Sequence, residues 1–257
     1  MSPSSASGQV VILTERPHEN VALLRLNRPK LFNALSNALM QQLVDELERL
    51  DGEGATRAVV ITGDERAFAA GADIAEFAAD GPRLELWDRL WAIGLPTIAA
   101  VRGLALGGGL ELAMSCDLMV VADDARLGQP ELNLGVMPGA GGTQRLTRAV
   151  GKTLAMEMVL LGRELSGREA EAHGLANRAV PPERVLPVAL DLAKALAAKA
   201  PLAVRAAKRA IGRAFEDSLH AGLLDERRAF FTLLATDDAR EGVDAFLNKR
   251  KPAWQGR

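Results

Sequence analysis

Two glutamates stand in apolar company: Glu111 within Leu110-Glu111-Leu112-Ala113-Met114, and Glu131, twenty positions later, within Leu127-Gly128-Gln129-Pro130-Glu131-Leu132. A carboxylate drawn out of water is costly unless paired, and partial burial raises its pKa toward the range where it can move protons at neutrality. Two such groups together are raw material for general acid–base catalysis. Each alone fits an ordinary surface position as well, and the spacing leaves open whether they meet.

Glycine-bearing segments supply a second kind of chemistry. Leu106-Gly107-Gly108-Gly109-Leu110-Glu111-Leu112-Ala113 follows a strand-like run and opens a short apolar helix. Glycines let a ligand approach the backbone there, and the free N–H groups and positive end of the helix dipole face it, which suits an anion or oxyanion. The same segment also fits a tight packing turn. Phe68-Ala69-Ala70-Gly71-Ala72-Asp73-Ile74 has the same context, and Asp73 there reads equally as a helix-capping acid. Two such turns at the carboxyl ends of strands are where an α/β sheet places its ligand.

Other motifs fail on their own terms. Gly151-Lys152-Thr153 resembles the end of a phosphate-binding loop, but Leu146 occupies the position of its first glycine. Gly139-Ala140-Gly141-Gly142-Thr143-Gln144 lacks the last glycine of a dinucleotide fingerprint, and no GxSxG elbow occurs. His18, His173 and His220 read as surface or packing residues, and Cys116 as a small buried one.

Strands are expected at Val10–Glu15 and Val21–Leu26, joined by a turn over Arg16–Asn20, and at Arg57–Gly63, Thr97–Gly103 and Asp117–Ala122. Ser36 caps a helix whose Leu39, Met40, Leu43, Leu47 and Leu50 recur at helical spacing, and a further helix covers Pro82–Ile93. On that helix Trp87 and Trp91, four apart, read as packing or as pocket lining. Alternating strands and helices predict an α/β fold with parallel pairing. After Gly139 only helices are expected: Thr153–Leu161, a capping box at Ser166–Glu169, then Pro187–Lys199, Leu202–Ala214, Ser218–Leu234 and Asp238–Asn248. Apolar residues such as Leu223, Leu224, Phe230 and Phe231 exceed what one small bundle buries, so a partner surface is expected for them.

Composition bounds the rest. With 257 residues and 48% hydrophobic side chains the chain suits one large domain or a domain plus an appendage. A single cysteine excludes intramolecular disulfides and points to a reducing compartment. The net charge of −2 argues against bulk attraction to nucleic acid. Met1 to Gln9 reads as a disordered tail rather than a targeting segment, and charges and glycines interrupt Leu95–Ala122, the longest apolar region. A cytoplasmic protein with no membrane partner is the expectation.

Taken in order, these stretches resemble the enoyl-CoA hydratase/isomerase, or crotonase, superfamily. The resemblance rests on Leu26-Asn27-Arg28-Pro29-Lys30-Leu31-Phe32-Asn33-Ala34-Leu35, Ala69 to Ile74, Gly103 to Ala113, Gly128-Gln129-Pro130-Glu131, Gly135 to Thr143 and Lys249 to Ala253. It implies a spiral of ββα units over residues 9–199 and a helical trimerisation region over 200–257, assembled as a homotrimer or a dimer of trimers. It also implies an acyl-CoA substrate, with CoA part of the substrate, no separate cofactor and no metal. The backbone N–H groups of Ala72 and Gly108 map to the family's oxyanion donors. Glu111 maps to the group that activates water for C3, and Glu131 to the one that delivers a proton to C2. Lys30, Leu31, Ala70, Asp73, Ile74, Gly107, Pro138 and Gly139 map to substrate contacts, with the Ala70 carbonyl near the adenine. Having both glutamates favours hydration of trans-2-enoyl-CoA, with a Δ3-Δ2 isomerase or a CoA-thioester- or RNA-binding relative as alternatives. Relatives that use a tyrosine are excluded, because the chain has none. Ala75 replaces a lysine that many relatives use for CoA phosphates. That leaves the anionic end to Lys30, Arg28 or the Lys249-Arg250-Lys251 cluster of a neighbouring subunit, a cluster that also reads as a solvated tail. The tail pocket is expected between Pro82–Ile93 and Pro138–Gly142.

Overall fold

Short, wholly apolar strands alternate with tight corners, so the chain winds through two sheets instead of extending one. The computed structural model describes residues 10–257, and the expected amino-terminal tail lies outside them. A hairpin of β1 (Ile12–His18) and β2 (Val21–Leu26) leads into α1 (Asn37–Gly52). The Ser36 hydroxyl accepts from the Leu39 N–H at 3.1 Å, and Leu39, Leu43, Leu47 and Leu50 bury one face of the helix, as their spacing predicts.

Three turns of the spiral follow. Each sends a strand into one sheet and a shorter strand into a second. They are β3 (Ala58–Thr62) with β4 (Ala67–Ala69), then helices α2 (Ile74–Asp80) and α3 (Glu85–Trp91); β5 (Thr97–Val101) with β6 (Leu104–Leu106), then α4 (Gly108–Ser115); and β7 (Leu118–Ala122) with β8 (Arg126–Gly128), then α5 (Gly142–Leu160). Next come β9 (Leu165–Ser166), α6 (Gly167–Ala172), β10 (Arg178–Val180), α7 (Val185–Ala197), α8 (Pro201–Arg213), α9 (Leu219–Leu234) and α10 (Asp237–Leu247).

The larger sheet runs β1-β2-β3-β5-β7-β10, parallel except for the β1–β2 hairpin, and the smaller runs β4-β6-β8-β9. Every residue of β3 and β5 is buried, which is what a parallel sheet covered on both faces requires. On one face α7 places Val185, Ala189, Ala193 and Ala197 at four-residue spacing, small side chains that let the helix lie close. The fold is therefore the expected α/β spiral of ββα turns, with helices at its carboxyl end.

Three expectations need correction. The predicted turn at Arg16–Asn20 is mostly strand: β1 runs on through Pro17 to His18, with a register shift after Glu15. It is an edge strand, where a missing N–H costs nothing. The region after Gly139 is not helical throughout, because β9 and β10 pair with β8 and β7. At two and three residues they are too short to show a period. Finally, α5 begins at Gly142 rather than Thr153 and is broken at Gly151 (φ 78°, ψ 163°), so Gly151-Lys152-Thr153 forms a kink between two helical segments.

Candidate active site

Where β6 ends, Gly107 turns the chain at φ 50° and ψ −126°, and its N–H donates to the Gly128 carbonyl at 2.9 Å. The next residue, Gly108, opens α4, so its N–H is one of the donors a helix leaves without an internal acceptor. The close approach depends on Gly109, where a Cβ would stand 1.9 Å from the Ala69 carbonyl oxygen. Only a glycine lets α4 lie against the end of β4.

Beyond β4, the backbone of Leu35 pins both sides of Ala72: Leu35 N–H donates to the Gly71 carbonyl at 2.8 Å, and Asp73 N–H donates to the Leu35 carbonyl at 3.0 Å. The Ala72 N–H between them carries no hydrogen bond among the described residues. A Cβ on Gly108 would come within 3.6 Å of that nitrogen. The two free donors thus flank one spot, held open because position 108 lacks a side chain. The Asp73 carboxylate is already engaged: it caps α2 by accepting from the Glu76 N–H at 3.4 Å and pairs with Arg28 at 2.8 Å. That bond to Arg28 holds its carboxyl below the usual range.

Glu111 lies one turn into α4, only 4% exposed. Its Oε1 accepts from the Ala140 and Gly142 N–H groups, each at 2.7 Å. Its Oε2 stands 3.9 Å from the Cβ position of Gly108, toward the donor gap. Glu131 opens a single 3-10 turn, Glu131–Leu134, after β8. Its Oε1 lies 3.1 Å from the Cβ position of Gly107. The adjacent residues Gly107 and Gly108 therefore stand beside the two carboxylates, which meet at one cleft. Burial pushes the Glu111 carboxyl above its ordinary value, against the pull of its two amide donors. Burial, with the charge of Glu111 adding to it, pushes Glu131 up to about 7.

Sequence reasoning missed Gln129, which is 1% exposed. With its amide turned to donate, its nitrogen lies 2.7 Å from Glu131 Oε1 and 3.1 Å from Oε2, fixing that carboxylate. Its signal was a polar side chain inside Leu127-Gly128-Gln129-Pro130, two residues before the glutamate.

The donors and both carboxylates line a cleft of about 420 Å³, which Met40, Phe77, Leu84 and Trp87 wall with apolar surface. Ala70, Gly107, Asp73, Ile74 and Gly139 also face it, and of the two tryptophans Trp87 does so. Lys30 and Leu31 stand apart, on an exposed 3-10 turn over Pro29–Leu31. Pro138 lies behind Gly139, its Cβ 2.6 Å from the Cβ position of Gly142. Arg28 is committed to Asp73 and the Ala34 carbonyl, and Arg250 to Glu241 and Asp244. Two of the cations considered for an anionic substrate end are thus already paired.

Paired backbone donors beside two carboxylates with raised pKa values, in a spiral of ββα turns, are an arrangement suited to acid–base chemistry next to a polarised carbonyl. The chain belongs to the enoyl-CoA hydratase/isomerase family, whose sequence pattern matches residues 16–257. It is 49% identical over 246 residues to a 2,3-dehydroadipyl-CoA hydratase of Escherichia coli, covering 93% of this chain and 96% of that one. It is 42% identical over 256 residues to a mitochondrial enoyl-CoA hydratase of Pongo abelii, covering 96% and 88%. An enoyl-CoA hydratase subunit from Geobacillus kaustophilus superposes with a TM-score of 0.92 at 46% identity, covering 96% of this chain and 99% of that one.

Proposed function

We propose that the protein is an enoyl-CoA hydratase, adding water reversibly to trans-2-enoyl-CoA to give 3-hydroxyacyl-CoA. The observation that carries this reading is the meeting of Glu111 and Glu131 beside the two unpartnered donors of Ala72 and Gly108. The thioester carbonyl accepts from both N–H groups, which draws charge onto its oxygen and leaves C3 electrophilic; one such donor is worth about 3–4 kcal/mol of barrier. Ionised Glu111 takes a proton from water as the water oxygen bonds to C3. Protonated Glu131 gives its proton to C2 as the enolate collapses. Water is added whole and the pair ends with one proton, as it began, so CoA enters within the substrate and no further cofactor is called for.

The apolar walls of Met40, Phe77, Leu84 and Trp87 suit a hydrocarbon tail. The expected setting is a homotrimer or dimer of trimers in the cytoplasm, with no nucleic acid. Among the described residues no helix is long and apolar enough to cross a membrane.

Incubation with crotonyl-CoA tests the reading: the absorbance of the conjugated thioester falls in the parent, and Glu131→Gln slows that fall by about 10²–10⁴. Unchanged absorbance, or a fully active Glu131→Gln, overturns it. A 3-enoyl-CoA that gains conjugated absorbance, with Glu111→Ala tolerated, would identify an isomerase instead.

A further inference from the structure

The cleft wall is stapled at the linker between α2 and α3. Asn37, the first residue of α1, holds it with three bonds: its N–H donates to Glu76 Oε2 at 2.7 Å, its Nδ2 donates to the Gly81 carbonyl at 3.1 Å, and its Oδ1 accepts from the Arg83 N–H at 3.0 Å. Gly81, left-handed at φ 72°, and Pro82, with its fixed φ, turn the chain between the anchored groups. The Arg83 and Leu84 carbonyls then accept from the Leu86 and Trp87 N–H groups at 3.2 and 3.0 Å, so Arg83 stands one helical turn before Trp87. Asn37 likewise stands one turn before Met40 on α1. The backbone of Arg83 is thereby fixed beside the apolar wall that Met40 and Trp87 form.

Charge along the cleft is uneven. Among the described residues that line it, Arg83 is the one cation. The acids of the wall each have a fixed partner: Asp73 has Arg28, Glu76 has an N–H at the positive end of α1, and Glu111 and Glu131 have the amide donors described above. The partners of Arg83 are exposed ones. Its Nε donates to Glu85 at 2.7 Å and its Nη1 to Gln41 at 2.8 Å, while Nη2 has no hydrogen bond among the described residues. The Arg83–Glu85 pair is open to water, its side chains 46% and 59% exposed, so it holds the guanidinium weakly and exchanges readily for another carboxylate. The stem of Arg83 extends the apolar surface while its head stays wet. A methyl end brought there meets a hydrated charge, whereas a carboxylate finds a planar fork of donors matching its two oxygens.

We propose that Arg83 pairs with a carboxylate at the end of the acyl chain, so that the preferred substrate is the CoA thioester of a trans-2-enedioic acid rather than of a simple fatty acid. The inference rests on the hydratase reading, and its test separates the two. Mono-CoA thioesters of straight-chain trans-2-enedioic acids, with the carboxylate at the far end, are each compared with the methyl-ended 2-enoyl-CoA of the same carbon number in the parent, Arg83→Met and Arg83→Lys. At the length that fits, kcat/KM in the parent favours the carboxylate about tenfold. Arg83→Met lowers kcat/KM about tenfold for the carboxylate and less than about twofold for the methyl-ended thioester, and Arg83→Lys keeps part of the preference. A parent with no preference for the carboxylate at any length, or an Arg83→Met that loses both substrates alike, as a merely structural residue would, overturns the proposal. If the parent hydrates no thioester, the hydratase reading fails instead. Calorimetric binding of the saturated dicarboxylic thioester, about tenfold tighter than its methyl-ended counterpart in the parent and no tighter in Arg83→Met, then still decides the role of Arg83.

Discussion

At the scale of single residues the site is two carboxylates under different restraint. Glu111 is tied by two amides and Glu131 by one, so the proposed division, Glu111 ionised and Glu131 protonated, follows from what each accepts. Hydration then needs the Glu131 proton. The kcat/KM for crotonyl-CoA falls above about pH 7, approaching about tenfold per unit, and falls again on the acid side as Glu111 protonates. Because the carboxylates interact, both limbs belong to the pair. A profile flat from pH 6 to 9 contradicts this assignment. Loss of the same proton also costs stability. A carboxyl whose folded value is raised stabilises the fold while protonated, and that contribution is lost as pH climbs from the ordinary 4.5 through about 7. Glu131→Gln, always neutral, should therefore melt higher than the parent at pH 8 and lose that advantage at pH 4. The glutamates were legible because charge among apolar residues is conspicuous. Their restraints were not, since Ala140 and Gly142 lie 29 and 31 positions from Glu111 along the chain and only the spiral brings them together.

Elements were legible where they repeat and illegible where they are short or depend on neighbours. Helix α1, with its cap and apolar stripe, and the buried strands β3, β5 and β7 carry their periods in their own residues. By contrast β9 and β10 exist because β8 and β7 offer them unpaired edges. The glycine run at 107–109 announced a turn but not which glycine does what. Gly107 bends the chain, Gly108 supplies the donor and Gly109 yields to Ala69. Gly109→Ala, its Cβ 1.9 Å from a backbone oxygen, must lift α4 off β4, costing about 3 kcal/mol of stability. Moving the Gly108 donor with it lowers kcat by about 10²–10³. Gly212, in α8 with nothing near its Cβ position, is the control. Gly212→Ala should gain about 0.5–1 kcal/mol and leave kcat alone. Denaturant midpoints and initial rates on both variants check the contrast, and equal behaviour would refute the packing argument.

On the scale of the whole molecule, the core and the carboxyl-terminal helices follow opposite rules. Strands β3, β5 and β7 are buried almost throughout, whereas α8 and α9 contain no buried residue although α9 is rich in large apolar side chains. Ile211, Phe215, Leu219, Phe230 and Phe231 are each more than half exposed. Yet α8 is not adrift: Lys208 reaches Asp117 at 2.8 Å and the Leu95 carbonyl at 2.7 Å, and Arg205 pairs with Asp51. The carboxyl-terminal segment is anchored too, its Gln255 and Gly256 N–H groups donating to buried Asp238 at 2.7 and 2.9 Å. A region fixed in place while its apolar face meets water fits the assembly proposed above, in which another copy of the chain covers that face. Each large side chain covered there contributes about 1.5–3 kcal/mol, so a few per subunit suffice for stable association. Sedimentation equilibrium should give a trimer or a multiple of it for the parent. Phe230→Glu with Phe231→Glu, which places two charges on that face, should shift the mass toward the monomer while circular dichroism keeps its helical signal. A parent that sediments as a fully active monomer, or a double variant that stays assembled, would show that this face has another use.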